Sequence, residues 1–197
     1  MNTVDQTLID TLTKKIREQV LAELKAHAST ALSASPEIPR FIAIPEGTFL
    51  AGDSKESRSL LAYQIAETPV TVRQWRVFMR DSGYAWADHG YQLSRTDRED
   101  HPITRVNVAD AEAYCAWLSK KLGRRVALPS ADQWEKAARG TDGRVYPWGD
   151  EAPTETLCQF NTNDTASVYA HPKGASPYGV LDLSGNVWEW TRTECEG

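Results

Sequence analysis

The amino-acid sequence predicts an α+β fold in which short helices and short strands are joined by long ordered loops. Three segments between positions 71 and 140 each begin at a capping residue and end at a glycine, which predicts three compact helices. Two short runs of β-forming residues between positions 41 and 50 predict strands. Beyond Gly140 the chain is rich in glycine and proline, which predicts a loop-rich final part.

Composition narrows the class of protein further. The chain has 197 residues, of which 41% are apolar and seven are tryptophan, enough for one domain with a core and an appendage. Its net charge of −5, with acidic and basic residues interspersed, gives no reason to expect a nucleic-acid partner. We find no apolar run that could span a membrane and no signal-peptide layout, and three cysteines do not form a disulfide framework. We therefore expect a cytoplasmic protein.

The first 34 residues are predicted to form an amphipathic helix that precedes the main domain. The helix begins at a capping-box pattern, and apolar residues recur every four positions, at Leu8, Leu12, Ile16, Val20 and Leu24. Such a stripe is buried either on the main domain or against another copy of the chain, so self-association through this helix is one expectation. A linker over 35–40 then leads into a domain predicted over 41–197.

The domain is expected to open with a pair of short strands. The run 41–44 reads as the first strand, 45–47 as a turn, and 48–50 as a second strand that returns along the first. The three helices follow, and their capping residues and terminating glycines are, in order, Thr71 and Gly83, Asn107 and Gly123, and Ser130 and Gly140. The apolar residues expected on their inward faces include Trp75, Phe78, Tyr114, Leu118, Trp134 and Ala137.

The run Ser-Gly-Asn-Val-Trp-Glu-Trp over 184–190 is the most distinctive part of the sequence. Its alternation predicts a Gly-Asn turn feeding a strand in which Trp188 and Trp190 are buried while Glu189 points the other way. A carboxylate held between buried indoles needs a partner. With Asp182 close upstream, a cation held by oxygen atoms is expected; a solvent-facing Glu189 and a turn residue at Asp182 are the alternative.

Several segments, in a fixed order along the chain, resemble the formylglycine-generating enzyme family, also called the sulfatase-modifying factor family. The segments that carry the resemblance are 44–49, 68–71, 101–103, 109–118, 128–140, 146–150, 176–182 and the run 184–190. Any one of them is a weak signal, whereas their joint order is specific. The resemblance implies a fold related to C-type lectins.

The resemblance also implies metal sites. A structural calcium ion would be held by the carboxylates of Asp182 and Glu189 and by the backbone carbonyls of Gly185 and Val187, which suits the preference of calcium for six to eight oxygen ligands. A second calcium site would involve Asn161, Thr162 and Asp164. In the intact family a pair of cysteines beyond the signature run binds copper and activates oxygen. The three cysteines of this chain, Cys115, Cys158 and Cys195, match no such pair.

Three interpretations follow and remain open at this point. The intact family oxidises a sulfatase cysteine to formylglycine, and without the copper-binding cysteines this chain is expected not to be catalytically competent alone. A second interpretation is a non-catalytic, lectin-like module that binds a ligand, protein or peptide, a class that includes variable proteins diversified by retroelements. The third is a truncated chain, in which the strand carrying Trp188 and Trp190 would lack its neighbours.

Overall fold

The computed structural model describes residues 36–87 and 96–192, so the predicted N-terminal helix lies outside the described residues. Four strands and three α-helices occupy this part of the chain: β1 (Phe41–Ile44), β2 (Gly47–Ala51), β3 (Glu56–Leu60), β4 (Tyr63–Ala66), α1 (Val72–Ser82), α2 (Val108–Leu122) and α3 (Ala131–Arg139). Single 3-10 turns lie at Thr96–Arg98 and Pro172–Gly174. The described residues beyond α3 form mainly loops, which confirms the α+β prediction with a loop-rich final part.

The strands form two separate antiparallel pairs. β1 pairs with β4, with Phe41 opposite Ala66 and Ile44 opposite Tyr63, and β2 pairs with β3. The prediction that β1 and β2 form a hairpin with each other is therefore wrong. The true partner of β2 is a polar and largely exposed strand, ESRSL, and it carries none of the apolar alternation by which a strand is recognised in a sequence.

The three predicted helices are confirmed, together with their capping residues. At each start a capping box is complete: the side chains of Thr71, Asn107 and Ser130 accept hydrogen bonds from the backbone N–H three residues later. α1 and α2 each end at a glycine in the left-handed conformation, with φ of 68° at Gly83 and 63° at Gly123. No helix in the described ranges is long and apolar enough to cross a lipid bilayer.

An aromatic cluster joins α1 to α2. Trp75 is at its centre, with ring centroids 5.0 Å from Phe78, 5.5 Å from Trp86 and 5.7 Å from Tyr114. The first two contacts are edge-to-face and the third is stacked, the geometries that aromatic pairs favour. A second apolar cluster packs β1 and β4 against α3 and the loop that leads to the signature run; its buried members are Ile44, Ala137, Ala138, Val180 and Leu183.

A lysine of α3 is buried against the turn between β1 and β2. The Lys136 side chain is fully buried, and its Nζ donates hydrogen bonds to the carbonyl oxygens of Pro45 at 2.7 Å and Gly47 at 2.9 Å. Burial lowers the pKa of the Lys136 amine, while the nearby Glu46 carboxylate opposes that shift. The ammonium group thereby fixes the turn between β1 and β2 onto α3.

Candidate functional site

The signature run does not form the buried strand that the sequence predicts. Trp188 is 103% exposed and Trp190 is 47% exposed, and residues 187–191 have no regular secondary structure. The segment is held by the Trp190 indole N–H, which donates to the Val106 carbonyl at 2.9 Å, and by a single parallel bridge between Arg192 and Ser130. The prediction of two buried indoles is wrong because, in the described part of the chain, no neighbouring strand covers this segment.

The loop before the two tryptophans is tightly organised. Asp182, Gly185 and Asn186 all lie in the left-handed region, with φ of 58°, 101° and 62°. The Asn186 side chain donates to Asp182 Oδ2 at 2.8 Å and makes two further hydrogen bonds with the backbone of Ala166, accepting at 2.9 Å and donating at 3.1 Å. The predicted Gly-Asn turn is thus present, and Asn186 fixes it onto a neighbouring loop.

Two carboxyl groups of this loop are in surroundings that disfavour their charged forms. Burial raises the pKa of Asp182 to about 6, although the hydrogen bond from Asn186 opposes the shift. The Glu189 residue as a whole is exposed, but desolvation of its carboxyl group is the main cause that raises its pKa to about 7. The neighbouring Asp182 carboxylate raises the pKa of Glu189 further, whereas the Trp134 indole lowers it. The Trp134 indole nitrogen nevertheless makes no hydrogen bond of normal geometry.

Such a pair of carboxyl groups fits a bound cation. No lysine or arginine within residues 36–87 and 96–192 forms an ion pair with Asp182 or Glu189. No group of three histidine, cysteine or acidic side chains converges on a common point in that part of the chain, so further ligands would have to be backbone carbonyls or water. The Gly185 carbonyl already accepts a hydrogen bond from the Val187 N–H at 2.8 Å, which leaves its second lone pair for a cation.

The residues of the second predicted calcium site make contacts with other protein groups. The Asp164 carboxylate forms a bidentate ion pair with Arg98, which holds the pKa of Asp164 well below its usual range. Thr162 Oγ1 donates to the backbone carbonyl of Asp164 at 2.7 Å, and Asn161 is in the left-handed conformation with φ of 54°. Because Arg98 already neutralises Asp164, these residues favour a cation less than the Asp182 loop does. The second calcium site stays a prediction.

The two cysteines that the structure describes lie in different environments. Cys115 is half-buried on α2, where burial raises the pKa of its thiol to about 11. Cys158 is buried behind the signature loop, and both burial and the Asp182 carboxylate raise its pKa. Both thiols are therefore protonated near neutral pH when no metal ion is bound. Cys195 lies outside the described residues.

An apolar cleft of about 780 Å³ opens beside the signature run. The strands β1 and β4, the helix α2, the segment 126–129 and residues 187–190 form its walls. Its apolar lining includes Phe41, Ala43, Ile65, Leu118, Val126 and Leu183. Pockets of this size with predominantly apolar walls are typical of ligand-binding sites. This cleft could not be predicted from the sequence, because its walls come from five separate segments.

A second cavity, of about 850 Å³ and more polar, lies on the other side of the signature run. Its lining includes Thr104, Arg105, Asn163 and Thr165. The two cavities share the apolar residues Ile103, Val106, Val187, Trp188 and Trp190 as a common wall. The exposed Trp188 side chain therefore stands between two concave surfaces.

Curated relatives match a large part of this chain. It is 33% identical over 159 residues to a hercynine oxygenase of Mycolicibacterium thermoresistibile, covering 66% of this chain and 35% of that protein. It is 38% identical over 141 residues to a formylglycine-generating enzyme of Mycobacterium tuberculosis, covering 64% of this chain and 45% of that protein. It is 40% identical over 110 residues to the inactive C-alpha-formylglycine-generating enzyme 2 of Bos taurus, covering 50% of this chain and 35% of that protein. The chain thus spans between a third and a half of the length of these relatives.

Solved structures share the fold. The structure of PvdO from Pseudomonas aeruginosa superposes with a TM-score of 0.64 at 24% identity, covering 79% of this chain and 71% of that chain. Treponema denticola variable protein 1 superposes with a TM-score of 0.56 at 22% identity, covering 77% of this chain and 71% of that chain. The model of the sulfatase-modifying factor enzyme 1-like domain matches residues 27–196. This match agrees with the ordered segments that resemble the family in the sequence. The chain belongs to the sulfatase-modifying factor enzyme 1-like domain family.

Proposed function

We propose that this chain acts as a binding module of its family and that the apolar cleft is its binding site. The cleft is the observation that carries the proposal. Its walls are already assembled by two strands, a helix and the signature run, and burying a ligand's apolar surface there would be favourable. Trp188 and Trp190 at its edge supply large, partly exposed aromatic surfaces of the kind that dominate binding energies.

Cysteine oxidation by this chain alone is not supported by its thiols. The family's copper chemistry draws on a pair of cysteines, and the two described here lie apart, one on α2 at the cleft and one behind the signature loop. Burial raises the pKa of both thiols, so neither is an activated thiolate on its own. A relative whose name includes the word inactive is 40% identical to this chain over 110 residues. Binding without turnover is the function that these observations support best.

The test is an oxidation assay on a sulfatase-derived peptide that contains the substrate cysteine. We expect the purified chain, supplied with copper and oxygen, to leave the peptide mass unchanged, because the two cysteines that the structure describes lie in separate places and do not form a copper-binding pair. The formylglycine-generating enzyme of Mycobacterium tuberculosis, assayed in parallel, is the positive control. Conversion of the peptide cysteine to an aldehyde by this chain, above the rate with copper alone, would overturn the proposal.

We also propose that a calcium ion stabilises the signature loop. Asp182 and Glu189 would supply carboxylate oxygens, and Gly185 and Val187 would supply backbone carbonyls. Two carboxyl groups with raised pKa values and no cationic side-chain partner in the described residues support this proposal. A bound cation would favour the ionised forms of the Asp182 and Glu189 carboxyl groups, which burial alone disfavours.

Calcium is expected to raise the free energy of unfolding of this chain, and the substitution Glu189→Ala is expected to remove that increase. A ligand that binds only the folded state stabilises it by about 2.7 kcal/mol at a concentration of one hundred times its Kd. Because protons compete for carboxyl groups with pKa values of about 6 and 7, the increase should be smaller at a pH below 6 than at a pH above 7. Urea unfolding with and without calcium measures the effect.

The matched control for that experiment is Glu151→Ala, which removes an exposed carboxylate that is not part of the signature run. This variant should keep the full response to calcium. If Glu189→Ala also keeps it, calcium binds at another place on the chain. If the unchanged protein shows no response at all, the calcium proposal is wrong.

A further inference from the structure

Asn186 makes four hydrogen bonds that join it to three other segments of the chain. Its side-chain amide accepts from the Ala166 N–H at 2.9 Å, and it donates to the Ala166 carbonyl at 3.1 Å and to Asp182 Oδ2 at 2.8 Å. Its backbone N–H donates to the Gln159 carbonyl at 2.9 Å. Both N–H donors of the amide and its oxygen are therefore engaged, which leaves the side chain little freedom to rotate.

The residue type at position 186 is narrowly determined by these contacts. The backbone has φ of 62°, a left-handed conformation that glycine, asparagine and aspartate adopt more readily than most residues. Of these three, only asparagine offers donors for the Asp182 carboxylate and the Ala166 carbonyl together with an acceptor for the Ala166 N–H. Aspartate would set a second carboxylate against the first, and glycine would supply no side chain.

The bond from Asn186 fixes the direction of the Asp182 carboxylate. Asp182 Oδ2 receives the amide N–H, whereas Oδ1 makes no hydrogen bond within residues 36–87 and 96–192. Asp182 is only 8% exposed, so little water is available to hold its carboxylate in place of the amide. One oxygen of this carboxylate is thereby anchored to the protein, and the other remains for a cation.

We propose that Asn186 is a positioning residue for the calcium site: it anchors Asp182 through Oδ2, leaves Oδ1 for the cation, and ties this carboxylate to the Ala166 backbone. The inference rests on the calcium ion proposed above and gives a role to a side chain that would not itself coordinate the ion. Hydrogen-bonded partners of metal ligands orient those ligands, and their loss typically lowers metal affinity by roughly 10–100-fold.

A purely structural role for Asn186 would have a different signature. Its bonds to Gln159 and Ala166 also hold the loop in place, so their loss would lower the free energy of unfolding whether or not a cation binds. Positioning instead acts on metal affinity, and it acts through Asp182. The two roles are separated when metal affinity and metal-free stability are measured on the same variants.

Terbium is the probe for this test. Like Ca²⁺, Tb³⁺ is a hard cation that binds oxygen ligands, and its emission is excited through a nearby indole. Trp188 and Trp190 flank Glu189 in the sequence. The Trp134 indole also lies close to the Glu189 carboxyl group. We expect sensitised emission that saturates with Tb³⁺ and is displaced by Ca²⁺. The variant Asn186→Gly keeps the left-handed backbone but lacks the amide, and it should bind Tb³⁺ roughly tenfold more weakly.

Asp182→Gly provides the second arm of a double-mutant cycle, since glycine also suits the φ of 58° at that position. If Asn186 acts by positioning Asp182, Asn186→Gly should change Tb³⁺ affinity by no more than about twofold once Asp182 is absent. Lys55→Gly is the matched control, because it places glycine at an exposed residue with φ of 53° outside the loop. This variant should keep the affinity of the unchanged chain.

Urea unfolding without metal reports the folded fraction of each variant, so that a loss of folded protein is not mistaken for a loss of affinity. Unchanged Tb³⁺ affinity in Asn186→Gly would show that this residue only supports the fold, which overturns the inference while the calcium proposal stands. Equal weakening with and without Asp182 would overturn it too, because Asn186 would then act on another ligand. If the unchanged chain gives no emission that Ca²⁺ displaces, the calcium proposal and this inference both fail, whereas the oxidation assay is unaffected.

Discussion

Replacing Gly185 by alanine is expected to lower the free energy of unfolding by about 3 kcal/mol or more. The backbone of Gly185 has φ of 101°, a conformation that a residue with a Cβ rarely adopts. A Cβ placed there would lie 2.5 Å from the Gln159 carbonyl oxygen and 3.2 Å from Cys158 Cβ. The same carbonyl accepts the Asn186 N–H at 2.9 Å, so relieving the clash would also pull the loop from its anchor. Urea unfolding followed by circular dichroism measures the loss.

Gly179→Ala is the control that separates backbone strain from the clash. Gly179 has a similar φ of 89°, but no atom lies within 4 Å of the place where its Cβ would be. Its replacement should therefore cost only the conformational part, about 1–2 kcal/mol. If the two substitutions destabilise the chain equally, the close approach of Gly185 to the Gln159 carbonyl does not contribute, and the loop is less closely packed than described.

Replacing Trp75 by alanine is expected to destabilise the chain by about 3–5 kcal/mol, the usual cost of emptying a large aromatic site in a core. Trp75 is 1% exposed and touches the rings of Phe78, Trp86 and Tyr114, so its loss would open a cavity between α1 and α2. Its indole nitrogen has no hydrogen-bond partner among the described residues, which means that the cost would come from packing. Thermal and urea unfolding both report this change.

Trp188→Ala is the matched control, because it deletes the same side chain from a position that is 103% exposed. Surface substitutions of this kind usually change stability by less than about 0.5 kcal/mol. A comparable loss of stability in both variants would mean that the Trp188 indole is covered in solution. That result would contradict its assignment as an exposed anchor for a partner.

The helices of this domain could be predicted because their signals are local. Thr71, Asn107 and Ser130 each satisfy the free N–H groups of a helix start that lies within the next few residues, and the glycines that follow allow the left-handed end. The capping pattern is therefore sufficient to predict where each helix begins. The buried face of each helix could also be predicted from the sequence, since the helical period of 3.6 residues is a local property.

The strands and the candidate site depended on contacts between distant segments, which the sequence pattern does not contain. β3 is polar because it is exposed, and the partner of β1 is β4 rather than its neighbour β2. The alternation around Glu189 was read as burial of Trp188 and Trp190, but alternation shows only that successive side chains point in opposite directions. Whether either side is covered depends on other parts of a fold. For the same reason the sequence predicted the Gly-Asn turn but not the cleft beside it.

The buried lysine of α3 gives this domain a cation that belongs to the chain itself. Its ammonium group bonds the Pro45 and Gly47 carbonyls at 2.7 and 2.9 Å, as a small bound ion would, but it is attached covalently and cannot diffuse away. The turn between β1 and β2 is consequently organised whatever the ionic composition of the surrounding medium. A neutral side chain at position 136 would leave the Pro45 and Gly47 carbonyls without that donor, so the turn depends on a charged amine even though burial disfavours the charge.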